Sequence, residues 1–293
     1  MSTEISLLVN PRSGRGRSAA VALRALEHLR ASGIAVTVLV GRDAAESAEL
    51  ARQAVARGTG ALVACGGDGL VNLVLQAVAG TPVPFGVIPS GTGNDHARML
   101  GIPLHDPEAA ARVVSRGEVR GIDLGRAGNR WFGTVFAGGF DAKVSERTNR
   151  LSFPRGALRY HTALVTELAA MRPRDYLLEL DGERLDVQAM LVAVGNGPTY
   201  GGGMRICPHA DLDDGLLDIT VIAHGPRAKV LKLLPTIYSG AHLDHPEVTT
   251  YRARSVRLST PDITGFADGE LFAPLPVTCT CVPQAARALV PGG

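Results

Sequence analysis

The most constraining stretch of this 293-residue chain runs from Gly60 to Ala79. The apolar run Ala61-Leu62-Val63-Ala64-Cys65 reads as a buried strand. It ends at Gly66-Gly67-Asp68-Gly69, and Val71, Val74, Leu75, Val78 and Ala79 then repeat at helical spacing. A strand that ends in glycines and opens a helix lets backbone N–H groups approach an anion, and the helix N-terminus favours negative charge. A carboxylate such as Asp68 is out of place in a bare anion cradle. It makes sense beside phosphates if it orients Mg²⁺ or its waters.

The same device recurs. Phe85-Gly86-Val87-Ile88 is a short strand, Pro89-Ser90-Gly91-Thr92-Gly93-Asn94-Asp95 is the turn, and His96 to Leu100, with Arg98, begins a helix. A third glycine-bearing turn, Asn10-Pro11-Arg12-Ser13-Gly14-Arg15-Gly16-Arg17, follows a strand at residues 5–9. A helix carrying Ala20, Leu23, Leu26 and Leu29 comes after it. A strand over 34–40 and a helix over 44–57 complete an alternation that implies a parallel sheet with helices on its faces. Open sheets of this kind bind ligands at the carboxyl edge of their strands. One such turn is an ordinary strand-to-helix connection. Two that carry Asp68, Thr92, Asn94, Asp95 and Arg98 point to a nucleotide site.

After a helix at 109–115 the character changes near Gly121-Ile122-Asp123-Leu124-Gly125. Strands are expected at 130–137, 176–180, 186–195, 216–222, 255–259 and 276–282, with helical stretches at 160–171 and 229–238. The expected architecture is an α/β nucleotide-binding domain over 1–121 and a β-rich sandwich over 122–283. Helical alanines at 284–293 are expected to pack back on the first domain.

Composition excludes several classes. The net charge is +2, and of 30 basic residues only Lys143, Lys229 and Lys232 are lysine, so no nucleic-acid stripe is present. Cys65, Cys207, Cys279 and Cys281 show no metal-ligand spacing and read as buried small hydrophobes in a reducing compartment. Neither a signal peptide nor an apolar run approaching 18 residues is evident, so a cytoplasmic protein is expected.

Two later stretches carry chemistry. Between Asp211 and Asp218 lie Asp213 and Asp214, four carboxylates in eight residues after the triple glycine 201–203. This is suitable for Ca²⁺ or Mg²⁺, and equally for a plain Asp-Gly turn before a strand. In Phe266-Ala267-Asp268-Gly269-Glu270, two carboxylates straddle a glycine. They can place a general base beside a metal ligand, or simply close a hairpin.

Together these stretches resemble the diacylglycerol-kinase catalytic-domain family, whose relatives include sphingosine and ceramide kinases. The pieces that carry the resemblance are Asn10-Pro11-Arg12-Ser13-Gly14, Gly66-Gly67-Asp68-Gly69, Pro89 to Asp95 with Arg98, Ile122-Asp123-Leu124-Gly125, Gly201 to Gly215, and Asp268-Gly269-Glu270. They stand in the family's order along the chain. The resemblance implies an ATP- and Mg²⁺-dependent kinase acting on a lipid alcohol such as diacylglycerol, met at the inner membrane face, with a dimer as the family's habit.

Nucleotide contacts would fall on Asn10, Pro11, Arg12, Ser13 and Gly14, and on Gly66, Gly67, Asp68, Gly69, Leu70, Val71 and Asn72. Others would fall on Gly91, Thr92, Gly93, Asn94, Asp95 and Arg98. Glu270 would be the base, with Asp268 and Asp68 completing the catalytic set. Asp68, Asp95 and Asp123 would order the catalytic Mg²⁺. A structural Mg²⁺ would take the Asp214 side chain and the carbonyls of Asp211 and Leu216. The chain departs from the family pattern at Leu70, where Thr is usual, and at Leu73, where bacterial members usually carry Glu. Two rivals share some of these features: an NAD-kinase-like enzyme with a soluble acceptor, and a nucleotide- or lipid-binding protein without catalysis.

Overall fold

The computed structural model describes residues 4–10, 18–138, 173–223, 233, 235–268 and 270–292. The helix expected at 160–171, the start of the one expected at 229–238, and Pro11, Arg12, Ser13, Gly14 and Gly269 lie outside the described residues. The chain divides into two compact units, one of Met1–Leu124 with Val282–Gly293, the other of Gly125–Cys281.

The first unit is built on parallel strands in the order β4 (Phe85–Pro89), β3 (Leu62–Gly66), β1 (Glu4–Val9), β2 (Ala35–Val40). In register, Leu8 lies beside Ala64, and Ala64 beside Val87. The three inner strands are buried almost throughout, so they read as continuous apolar runs. β2 is an edge strand in which only Leu39 is buried. Helix α1 (Ser18–Ala31) packs on α5 (Pro107–Arg116), and α2 (Ala44–Ala56) on α3 (Asp68–Val78). The chain therefore leaves β1 for one helical layer and β3 for the other, which makes the gap between the ends of β1 and β3 the switch point of the sheet. The helix starts follow from local chemistry. The Asp43 carboxylate accepts the Glu46 N–H at 2.8 Å, and the Asp106 carboxylate accepts those of Glu108 and Ala109, with Pro107 in the first turn.

In the second unit, neighbouring strands run antiparallel: β14 (Glu270–Pro274), β13 (Thr264–Ala267), β7 (Val135–Gly138), β9 (Glu183–Gly195), β8 (Arg174–Leu180), β12 (Ser255–Ser259) and the start of β15 (Val277–Val290). β10 (Leu217–Ala223) joins β9, and β11 (Val248–Ala253) joins β10. The long β9 serves two cores. Val192 and Val194 face a core with Phe132, Phe136, Leu178, Val256 and Leu258, while Leu191 and Ala193 face another with Met204, Ile206 and Ile237. Successive side chains point to opposite faces, so a strand covered on both sides must be apolar throughout. In the first core Phe272 meets Phe132 and Phe136 edge-on, with ring centroids 6.3 and 6.0 Å apart. Cys279 and Cys281 share that core, and all four cysteines are buried and outside any disulfide.

One expectation is overturned. Residues 283–290 are strand, not helix: Ala288 pairs in parallel with Phe85 at the open side of β4. A vacant sheet edge outweighs the weak helix preference of three alanines. The strand is re-phased at Gln284 (φ 53°), whose N–H donates to the buried Asp123 carboxylate at 2.8 Å. The buried residues of helix α1 are Ser18, Ala22, Ala25 and Leu29, while Leu23 is 57% exposed.

Phe136→Ala empties the centre of the first core, so unfolding in urea is expected to show a loss of about 3–5 kcal/mol at an unchanged slope. A loss under about 1 kcal/mol would show that the aromatic cluster does not hold this unit.

Candidate active site

The ends of β3 and β4 are laced together. The Ser90 N–H donates to the Gly66 carbonyl at 2.9 Å. Beyond that bond the two glycine turns touch backbone to backbone: a Cβ on Gly91 would lie 2.5 Å from the Gly67 α-carbon, and one on Gly67 would lie 3.2 Å from that of Gly91. Neither glycine has a positive φ, so close approach is what requires them. The third turn enters through Ser18, whose hydroxyl lies 2.8 Å from that of Ser90, and Asn10, whose N–H donates to the Cys65 carbonyl.

Within the β3 turn, Asp68 opens α3 with its side chain 16% exposed. Its Oδ1 lies 3.1 Å from both the backbone nitrogen and Nδ1 of His96. The Leu70 and Val71 side chains are buried, Leu70 against Gly66, and both of their N–H groups donate to the Gly67 carbonyl. These two side chains therefore support the turn from beneath. Asn72 is likewise buried, with Gln76 donating to its side-chain oxygen at 3.3 Å.

In the β4 turn, Asn94 is left-handed (φ 56°), and its amide closes the loop on itself. Oδ1 accepts the Gly91 N–H at 2.9 Å and Nδ2 donates to the Gly91 carbonyl at 3.1 Å. Its role is to clamp the loop. Thr92 at the tip is exposed. Arg98 donates to the Gly93 carbonyl at 3.2 Å, and its Nε lies 3.7 Å from the buried Asp95 carboxylate. A cavity of about 470 Å³ opens beside this turn, lined among others by Val21, Thr92, Arg98, Leu104 and His105. Leu104 and His105 carry no motif that would have singled them out in the sequence.

Three Asp, Glu, His or Cys side chains do not converge anywhere among the described residues in a way that could hold a metal ion unaided. Asp68 nonetheless fits Mg²⁺, which commonly takes one or two carboxylates and draws its other oxygens from phosphates and water. Asp123 is different: it already accepts the Gln284 N–H deep in the first unit.

In the second unit, Asp268 is buried and left-handed (φ 51°). Its carboxylate accepts the Gly133 N–H at 2.8 Å, the Thr134 N–H at 2.9 Å and the Thr134 hydroxyl at 2.5 Å. From the other side Asn196 donates to the carbonyls of Gly133 and Thr134. A carboxylate with three donors is tied to its place, so Asp268 anchors the β13–β14 hairpin. Glu270 is exposed on that hairpin, opposite Ala267. Arg130 braces the same hairpin, donating to the Leu271 carbonyl at 2.8 Å with its guanidinium 4.1 Å from the Phe272 ring centroid. Gly133, Thr134, Asn196 and Arg130 were invisible to sequence reasoning because their partners lie far away along the chain.

In the acidic turn at 211–218 the Asp214 carboxylate has partners within the protein. Asp214 Oδ1 accepts the Leu216 N–H at 2.9 Å, and Oδ2 pairs with the Arg252 guanidinium. Arg252 Nε also reaches Asp218 Oδ2 at 3.3 Å. Burial pushes the Asp218 carboxyl up from its ordinary range while Arg252 pulls against that shift. Arg252 thus pairs with both the Asp214 and Asp218 carboxylates. With β11 unrecognised in the sequence, nothing there linked Arg252 to this turn.

Residues 4–127 match the model of the diacylglycerol kinase catalytic domain, and residues 133–290 that of the YegS C-terminal NAD kinase beta sandwich-like domain. Among curated proteins, the chain is 45% identical to a diacylglycerol kinase of Mycobacterium tuberculosis, over 98% of this chain and 95% of that one. It is 28% identical to a diacylglycerol kinase of Bacillus subtilis over 92% and 90%. Among solved structures, a diacylglycerol kinase from Bacillus anthracis superposes with a TM-score of 0.80 at 22% identity, covering 98% and 97% of the two chains. An NAD kinase from Archaeoglobus fulgidus in complex with ATP gives 0.51 at 14% identity, covering 98% and 93%.

Gly91→Ala should force the two turns apart and lower stability by about 1–3 kcal/mol in urea titration; a parental midpoint would mean that the glycine contact is dispensable. Arg252→Ala should lower the melting temperature more than excess EDTA lowers that of the parent, since removing Arg252 leaves Asp214 and the partly buried Asp218 without their cation. A larger effect of EDTA would instead return the turn to a metal.

Proposed function

Because the chain belongs to the diacylglycerol-kinase catalytic-domain family, we propose that it transfers the γ-phosphoryl group of ATP to the hydroxyl of a lipid such as diacylglycerol. The family makes it a phosphotransferase. The observation that carries the finer reading is the pair of glycine turns in backbone contact, with Asp68 partly exposed beside them and Thr92 exposed at the loop tip.

In this reading the nucleotide lies at the switch point, its phosphates against the backbone of Gly67 to Gly69 and the hydroxyl of Thr92. Asp68 supplies the oxygen that orders the metal, and Asp95 supports it from within α4 (Asp95–Met99). Asp68 would hold a Mg²⁺ whose charge would offset that developing on the phosphates in the transition state. Arg98 adds positive charge on the same side.

Glu270 takes the proton from the acceptor hydroxyl. The freed oxygen attacks the γ-phosphorus, and the bond to the β,γ-bridging oxygen breaks, leaving ADP with the electron pair. Asp268, with its three donors, keeps the Glu270 hairpin in place and is not itself the base. The acceptor is a lipid alcohol reached by peripheral contact with a membrane. No helix among the described residues is long and apolar enough to cross one.

Glu270→Gln should lower single-turnover phosphorylation of diacylglycerol in mixed micelles by about 10²–10⁴-fold, with calorimetric ATP binding nearly unchanged. Near-parental turnover would remove Glu270 as the base. Parent turnover on NAD and on none of diacylglycerol, ceramide or sphingosine would favour the soluble-acceptor reading. Nucleotide binding without turnover on any acceptor would favour the non-catalytic one.

A further inference from the structure

His96 is an aromatic residue 3% exposed on the short helix α4, just after the β4 turn. It sits 28 positions from Asp68, yet the fold brings two of its nitrogens onto a single oxygen of that carboxylate. Its backbone nitrogen and Nδ1 both lie 3.1 Å from Asp68 Oδ1. A carboxylate can only accept at this contact, so the proton belongs on Nδ1. Both donors converge on Oδ1, and the bonds fix the torsion of the Asp68 side chain. The side chain that carries the second oxygen, Oδ2, is 16% exposed.

We propose that His96 is a positioning residue: it holds Asp68 in the one rotamer that presents Oδ2 to the metal of a Mg·nucleotide, and so sets the affinity for that metal. The inference rests on the metal-ordering role proposed for Asp68 and adds a residue that neither the turn motif nor the resemblance marks.

Geometry makes the distinction from a packing residue testable. The backbone donor survives any substitution, so only the Nδ1 bond is removed by mutation. His96→Phe keeps the ring volume and loses the donor. His96→Asn gives up ring volume and keeps an N–H at the place of Nδ1, since the two nitrogens stand the same number of bonds from Cα. A packing role predicts that Phe is tolerated and Asn is harmful; the positioning role predicts the reverse.

The experiment follows binding and turnover together on the full chain. Manganese titration in the presence of ATP, read by the loss of the free-ion electron paramagnetic resonance signal, measures metal affinity without catalysis. The Mg²⁺ dependence of phosphorylation separates half-saturation from kcat. For His96→Phe the metal concentration at half-saturation should rise by about tenfold or more, the scale of one hydrogen bond to a charged group, in both measurements. The kcat at saturating Mg²⁺ should stay within about threefold of parent, and His96→Asn should restore half-saturation to within about threefold. Parental metal affinity in His96→Phe, or failure of Asn to rescue it, overturns the proposal. His96→Leu replaces Phe with the same expectations if the Phe variant does not fold. Asp68→Asn run in parallel separates the two levels. If it leaves metal affinity unmoved, the role assigned to Asp68 itself has failed. If it weakens the metal and His96→Phe does not, only the positioning has failed.

Discussion

The approach of the Gly67 and Gly91 backbones is the constraint on which the carboxyl edge of the parallel sheet depends. Any side chain at Gly91 would press on the neighbouring α-carbon, so the turns after β3 and β4 meet only because both carry glycine there. That contact brings the β4 turn over the start of α3, where His96 can reach Asp68 and where Asn94 closes its loop on Gly91. Thr92 is left exposed at the loop tip, while Asp68, its side chain 16% exposed, ties the β3 turn to His96 through one oxygen. The inner strands beneath are buried almost throughout, and they give the turns a rigid edge to stand on.

Much of this was legible in the sequence, and the reasons differ between elements. β1, β3 and β4 are continuous apolar runs closed by glycine turns, and a fully buried parallel strand has no other way to read. The second unit was harder. β11 exposes several of its residues and β13 is only four residues long, so neither offers a run or a clean alternation to detect. β5 (Glu118–Ala127) begins exposed and was legible only as a change of character. Residues 283–290 were misread because alanine spacing speaks for a helix while the deciding interaction, pairing with β4, lies about two hundred residues earlier in the chain.

The acidic residues divide along a similar line. Their positions were visible; their partners were not. Asp68 and Glu270 remain partly or fully exposed, suited to chemistry. Asp268 turns inward to three donors, Asp123 to the Gln284 N–H, and Asp214 to Leu216 and Arg252. In each of these the carboxylate braces a turn or bulge, and only the fold distinguishes a bracing carboxylate from a reacting one. Asn94, Leu70 and Val71 belong with them: Asn94 closes its loop on Gly91, and the buried Leu70 and Val71 pack beneath the β3 turn.

The central claim is that Mg·ATP is received by the two glycine turns through Asp68. Hydrogen exchange followed by mass spectrometry tests it without reference to the acceptor. On addition of Mg·ATP, peptides covering 66–72 and 90–98 should exchange more slowly, the acidic turn at 211–218 should be unchanged, and Asp68→Asn should lose most of the protection. Unchanged exchange in both glycine turns at saturating nucleotide, or protection confined to 211–218, would contradict the account.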